Sequence, residues 1–176
     1  GREGVRSRDD VVDAVIELKS AKPVDYMVLK HDEGVSGLGN AVLDVRGLEG
    51  ASRARVAERL RDLRPEDPYT SAEQFLERLA DGGIVEELIV GSEIRSPSVQ
   101  MRATPVGKGE QLSTHDQVLG GASGQLFLGS VFPASDGYAR EIAYEAMKVG
   151  EALAGRGVLG RFAVDFLTAR TESGWK

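Results

Sequence analysis

Apolar positions change period along this chain, and the changes mark out its elements. Val11, Val15 and Leu18 recur at helical spacing behind Ser7, whose hydroxyl can cap the helix, with Asp10 suited to its N-terminal turn. Pro23 marks the exit. Residues 24–29 form a short apolar run, 31–39 are polar and glycine-rich, and 41–45 are apolar again, which predicts a hairpin with a long glycine-rich tip. Ser52 opens a helical stretch over 53–63, and Thr70 with Glu73 three residues on gives a capping-box signature before Phe75, Leu76 and Leu79. Pro65 and Pro68 separate the two helices. After Gly82 and Gly83, residues 84–90 read as a buried strand ending at Gly91, the best candidate for a connection between two lobes. Three strand segments follow, 93–103, 111–119 and 125–132. Tyr138, Ile142, Ala146, Val149 and Leu153 then predict a long helix with Gly155 or Gly157 as its stop. A final strand, 161–167, sends Phe162, Val164 and Phe166 to one face and Arg161, Ala163 and Asp165 to the other. No repeat or low-complexity segment interrupts this order.

Composition narrows the classes. With 176 residues, 41% of them hydrophobic, the chain can bury a real core as one compact domain or two small lobes. Its net charge of −6 is spread along the chain, without the basic face that nucleic acid requires, so no nucleic-acid partner is expected. No apolar run approaches the roughly 20 residues that cross a bilayer, and residues 1–4 lead into polar sequence, so no membrane partner is expected either. Cysteine is absent, which excludes disulfides, thiolate metal sites and cysteine nucleophiles and fits a cytoplasmic location. Nothing in the pattern sets an oligomeric state.

Lys30 falls at the end of a strand directly before the glycine loop, where its ammonium could reach phosphates held by the backbone N–H groups of 34–39. This suits ATP but is not a Walker motif, and an ordinary hairpin with an exposed lysine is the alternative. Asp165 interrupts an otherwise apolar strand, so it faces a polar cleft, where a hard cation such as Mg²⁺ would accept it, or is paired with Arg161 or Arg170. Glu86 and Glu87 interrupt the strand at 84–90; either both are accounted for by exposure and pairing, or the backbone there meets an adenine edge. Ser113, His115 and Asp116 lie too close along one strand for a hydrolase triad, so His115 is structural or makes a substrate contact. Two histidines alone give no zinc spacing.

In order and spacing, five stretches resemble the ATP-grasp superfamily, in particular carboxylate–amine ligases of the pheganomycin peptide ligase kind: 28–30 with 33–41, 85–87, 96–102, 113–117 running to 132–134, and 160–166. The resemblance implies an α+β fold of two lobes with antiparallel sheets gripping ATP, the smaller lobe 1–85 and the larger 86–176. It implies that Lys30 holds phosphates, that the loop with Gly34, Ser36, Gly37 and Gly39 closes over them, and that Glu86, Glu87 and Ile89 belong to the adenine-binding hinge. Asp165 is then the first Mg²⁺-binding acid and Arg102 the cation facing the transferring phosphoryl group, while His115 and Gln117 are candidate substrate contacts. The implied activity is ATP-dependent ligation of a small-molecule or peptide carboxylate to an amine through an acylphosphate. In such enzymes a further strand supplies a glutamate and an asparagine to the metal, and another domain precedes the grasp; the sequence ends at Gly174-Trp175-Lys176 before any such strand, so a domain fragment is the expectation. A non-catalytic nucleotide- or partner-binding module is the first alternative. An ATP-grasp kinase, which needs no amine, is the second.

Overall fold

The computed structural model describes residues 1–121 and 124–176, which divide into two units, Gly1–Ile89 with Gly120–Phe127, and Val90–Leu119 with Leu128–Lys176.

In the first unit, Ser7 caps α1 (Arg8–Ala21) by accepting from the Asp10 N–H, and the Lys22 N–H closes the helix on Leu18 just before Pro23. β1 (Tyr26–His31) and β2 (Asn40–Asp44) make the hairpin, α2 (Arg53–Arg59) ends in a 3₁₀ turn over 60–62, and β3 (Arg64–Pro65), α3 (Ala72–Arg78) and β4 (Gly83–Glu87) complete the unit. The four strands form an antiparallel sheet in the order β3-β2-β1-β4. Alternation sends Met27, Leu29, Ala41, Leu43 and Val85 toward a core with Val11, Val15, Leu60, Phe75 and Leu79 from the helices. Each such buried side chain contributes about 1.5–3 kcal/mol of transfer free energy.

The second unit contains β5 (Ile94–Ala103), β6 (Gly109–Gly120), β7 (Leu126–Val131), α4 (Ala139–Gly155), β8 (Gly160–Asp165), β9 (Thr168–Thr171) and β10 (Gly174–Trp175), with Gly120 and residues 126–127 grouped in the first. The sheet runs β10-β9-β5-β6-β7, and β8 pairs with β5 as well. Val99 and Met101 form a core with Ile142 and Ala146 of α4, against which Phe162 and Val164 also pack. Gly150 allows α4 to come this close, because a Cβ there would sit 2.7 Å from the Met101 methyl.

Several sequence expectations shift. The capping box is Ser71 with Gln74 rather than Thr70 with Glu73, because the Thr70 hydroxyl donates to Asp67 at 2.7 Å. The strand expected over 84–90 stops at Glu87; the Leu88 N–H still reaches the Tyr26 carbonyl, but 88–90 leave the sheet. Along α4 the buried stripe runs through Gly150 and Ala154, while Val149 is exposed. β3, β9 and β10 have no counterpart in the sequence reading. Among the described residues no helix is long and apolar enough to cross a membrane.

Candidate functional site

Lys30 and His31 leave the same strand on opposite faces. His31 points to the helices, stacks on Phe75 at 4.0 Å and shares a 2.9 Å hydrogen bond with the Phe75 carbonyl. Lys30 therefore lies on the face turned from the core, together with Asn40 and Ile84, its direct partners across the sheet. There its ammonium meets the Glu86 carboxylate at 2.6 Å, with both side chains more than a third exposed. A half-exposed pair of this kind is worth little in itself, so phosphate oxygens could replace Glu86 without a large loss.

Glycine is required in the loop between β1 and β2 for close packing. A Cβ on Gly39 would fall 2.4 Å from the Gly34 Cα, and one on Gly37 would fall 2.4 Å from the Gln125 carbonyl oxygen. Ser36 and Gly37 both have positive φ, 55° and 88°. Such a turn directs backbone N–H groups outward at short spacing, which suits an oxyanion. A cleft of about 360 Å³ lies behind this loop, lined by His31, Gly34, Gly39, Thr70, Phe75 and Arg78. It opens on the His31 side of the sheet, away from Lys30, and sequence alone gave no sign of it.

Farther along β4, backbone parity decides what is free. Val85 exchanges both backbone hydrogen bonds with Arg2, at 2.8 and 3.0 Å, so its N–H and C=O point to the outer edge of the sheet. Two residues on, the Glu87 backbone points the same way. Among the described residues no backbone bond from outside the sheet reaches Glu87. The Glu87 carboxylate is held by the Lys22 ammonium, and Ile89 is exposed beyond the strand end.

The second unit gathers the other candidates onto one face. Direct antiparallel partners share a side of the sheet, so the register gives three rows across β8, β5 and β6: Asp165 with Ser98 and His115, Ala163 with Gln100 and Ser113, and Arg161 with Arg102 and Glu110. Gln117 opposite Ser96 extends the face. A bulge between Gln100 and Met101 lets β6 skip Leu112, which keeps Glu110 on the same side as Ser113. The apolar Val99 and Met101 face α4, so this polar face is the one turned from the helix. Asp165 is exposed on it. His115 shares a 3.0 Å hydrogen bond with Ser113, Gln117 donates to Ser96 at 3.3 Å, and Arg102 is clamped by Glu110 at 2.5 and 3.0 Å. Arg102, His115, Gln117 and Asp165 were named from the sequence but Glu110 was not, because shared faces on β5 and β6 follow from register and a bulge.

Asp116 lies on the opposite face, opposite Pro97, and so cannot complete a triad with Ser113 and His115. It accepts from the Tyr138 hydroxyl at 2.5 Å and from the Ser135 N–H at 2.9 Å. Burial, reinforced by the bond to Asp116, pushes the Tyr138 phenol well above its usual range. The unfolded chain then loses this proton first. Stability from this group is therefore full below about pH 10 and lost as pH rises through the higher folded value. Tyr138→Phe is expected to cost about 1.5–3 kcal/mol at neutral pH, as loss of a buried hydrogen bond to a carboxylate, and to flatten the alkaline fall in stability. Urea titrations at pH 7 and above pH 10 check both; an equally steep alkaline fall in the variant would remove Tyr138 from that role.

The donor set fits a nucleotide better than a preformed metal cage. Among the described residues no group of three or more His, Asp or Glu could hold a metal ion. Mg²⁺ does not need one, since it keeps several waters and binds through one or two carboxylates plus substrate phosphates. A lone exposed Asp165 fits that mode.

Comparison with known proteins points the same way. A family model described as IQCH-like, ATP-grasp matches residues 53–174. The L-propargylglycine–L-glutamate ligase of Streptantibioticus cattleyicolor is 36% identical over 98 residues, 56% of this chain and 20% of the ligase. The biotin carboxylase domain of 2-oxoglutarate carboxylase from Hydrogenobacter thermophilus, solved with MgADP, superposes with a TM-score of 0.63 at 13% identity over 99% of this chain and 33% of its own. Biotin carboxylase from Campylobacter jejuni gives 0.61 at 16% identity over 95% of this chain and 32% of its own. The chain thus spans a fifth to a third of the length of these relatives.

Proposed function

Because this chain belongs to the ATP-grasp family in its IQCH-like form, we propose that it acts in ATP-dependent ligation of a carboxylate to an amine through an acylphosphate. The first unit would handle the nucleotide: Lys30 and the backbone of Gly34, Ser36, Gly37 and Gly39 the phosphates, and the hinge at Glu86, Glu87 and Ile89 the adenine. Of these three, the free edge of β4 favours Glu87, since Glu86 turns its backbone to β1 and Ile89 lies beyond the strand end. The second unit would contribute Asp165 to Mg²⁺, Arg102 to the transferring phosphoryl group, and His115 and Gln117 to substrate. Mg²⁺ would supply charge neutralisation at the phosphates and a template for in-line transfer. Arg102 would offer its remaining donors to developing negative charge, with Glu110 fixing the guanidinium plane.

The observation that supports ligation most is the common face of Asp165, His115, Gln117 and Arg102. The ligase relative, whose name specifies two amino-acid substrates, supports the substrate class. Incubation with ATP, Mg²⁺ and amino acids singly and in pairs tests the reading: ADP and phosphate are expected only when a carboxylate and an amine are both present. Phosphorylated product without an amine would favour the kinase, and nucleotide binding without turnover under any pair would favour the non-catalytic module.

A further inference from the structure

The row Glu110, Arg102, Arg161 puts two guanidinium groups directly across from each other on the polar face of the second unit. Their Cβ atoms are about 4.5–5.5 Å apart, and like charges so placed destabilise a sheet. Glu110 takes up two donors of Arg102 and offsets one charge. Among the described residues Arg161 has no hydrogen-bond or ion-pair partner, so the row keeps a net positive charge in a chain of net charge −6. That combination costs stability unless an anion occupies the row. Asp165 lies four residues along β8 on the same side, about 13 Å away at about 3.3 Å per residue. Between them stand Ala163, which is too small to fill the face, and Gln100, whose amide donates to Ser98 at 3.1 Å.

Resting on the ligation reading above, we propose that Arg161 binds a second anionic group of the acid substrate, a carboxylate other than the one activated between Asp165 and Arg102. The substrate class is therefore a small dianionic acid. The planar fork of arginine matches a carboxylate with two parallel hydrogen bonds, which lysine cannot reproduce. Arg161 acts as a specificity-determining residue, and Glu110 tunes it by holding Arg102.

The test uses the whole 176-residue chain, with the Arg161 Nε–H signal identified by its loss in Arg161→Gln. With MgADP saturating, L-glutamate is expected to shift this signal and saturate, and L-glutamine, which lacks the second charge, to bind at least tenfold more weakly. Arg161→Gln is expected to weaken L-glutamate at least tenfold, leave MgADP affinity within twofold, and leave the urea midpoint unchanged or raised. Arg161→Lys should recover only part of the affinity, and Glu110→Gln should tighten L-glutamate severalfold. Equal L-glutamate affinity in Arg161→Gln, or no L-glutamate binding while MgADP binds, overturns the proposal. A shift of Arg161 with MgADP alone or with inorganic phosphate assigns Arg161 to phosphates and overturns it as well. Failure of MgADP itself to bind is instead a failure of the ligation reading, and takes this one with it.

Discussion

Asp165→Asn is expected to lower ADP release in the ligation assay by about two orders of magnitude or more, while nucleotide affinity without metal stays within about threefold of the parent. The neutral amide keeps the size and position of the side chain on β8 but cannot offer Mg²⁺ an anionic oxygen. Phosphates would still be held by Lys30 and the loop amides, so binding and turnover separate. The preference for MgADP over ADP should shrink in the same variant, a readout that needs no turnover. Stability should hold, because Asp165 is exposed and has no ion-pair partner among the described residues. Parental turnover together with an unchanged metal preference would leave Asp165 as an ordinary surface acid.

Lys30→Ala is expected to weaken nucleotide binding by about 1.5–3 kcal/mol, roughly ten- to a hundredfold, as loss of a charge-assisted contact. The fold should survive, since Lys30 lies on the face turned from the core and its pair with Glu86 is half exposed. Glu86→Gln should move affinity the other way, by releasing the ammonium from its competitor. Calorimetric titration with MgADP and a thermal melt on each variant separate the outcomes. A variant that melts well below the parent would make Lys30 structural, and unchanged affinity would remove it from the phosphate site.

What the sequence disclosed and what it withheld follow from the range of the interactions involved. The α1 cap, the glycine tip between β1 and β2 and the alternation along β8 are local patterns, and each has a direct residue signature in Ser7, in Gly34 to Gly39, and in Phe162 and Val164. The capping box slipped by one because two overlapping S/T-x-x-E/Q pairs compete, and Asp67, outside the motif, decides between them by engaging Thr70. β9 and β10, four and two residues long, are too short to show a period. The candidate site was legible as residue types only. That Arg102 faces Arg161, that Glu110 joins them past a bulge at Leu112, and that Arg2 leaves the Glu87 backbone on an open edge all depend on strands paired across long stretches of chain.

The chain is expected to bind adenine nucleotide with help from Mg²⁺. Titration calorimetry of the 176-residue chain with a non-hydrolysable ATP analogue, with and without Mg²⁺, measures this. One site is expected, tighter with Mg²⁺ and weakened by Lys30→Ala. No heat and no thermal shift at millimolar nucleotide, with or without the metal, would contradict the account.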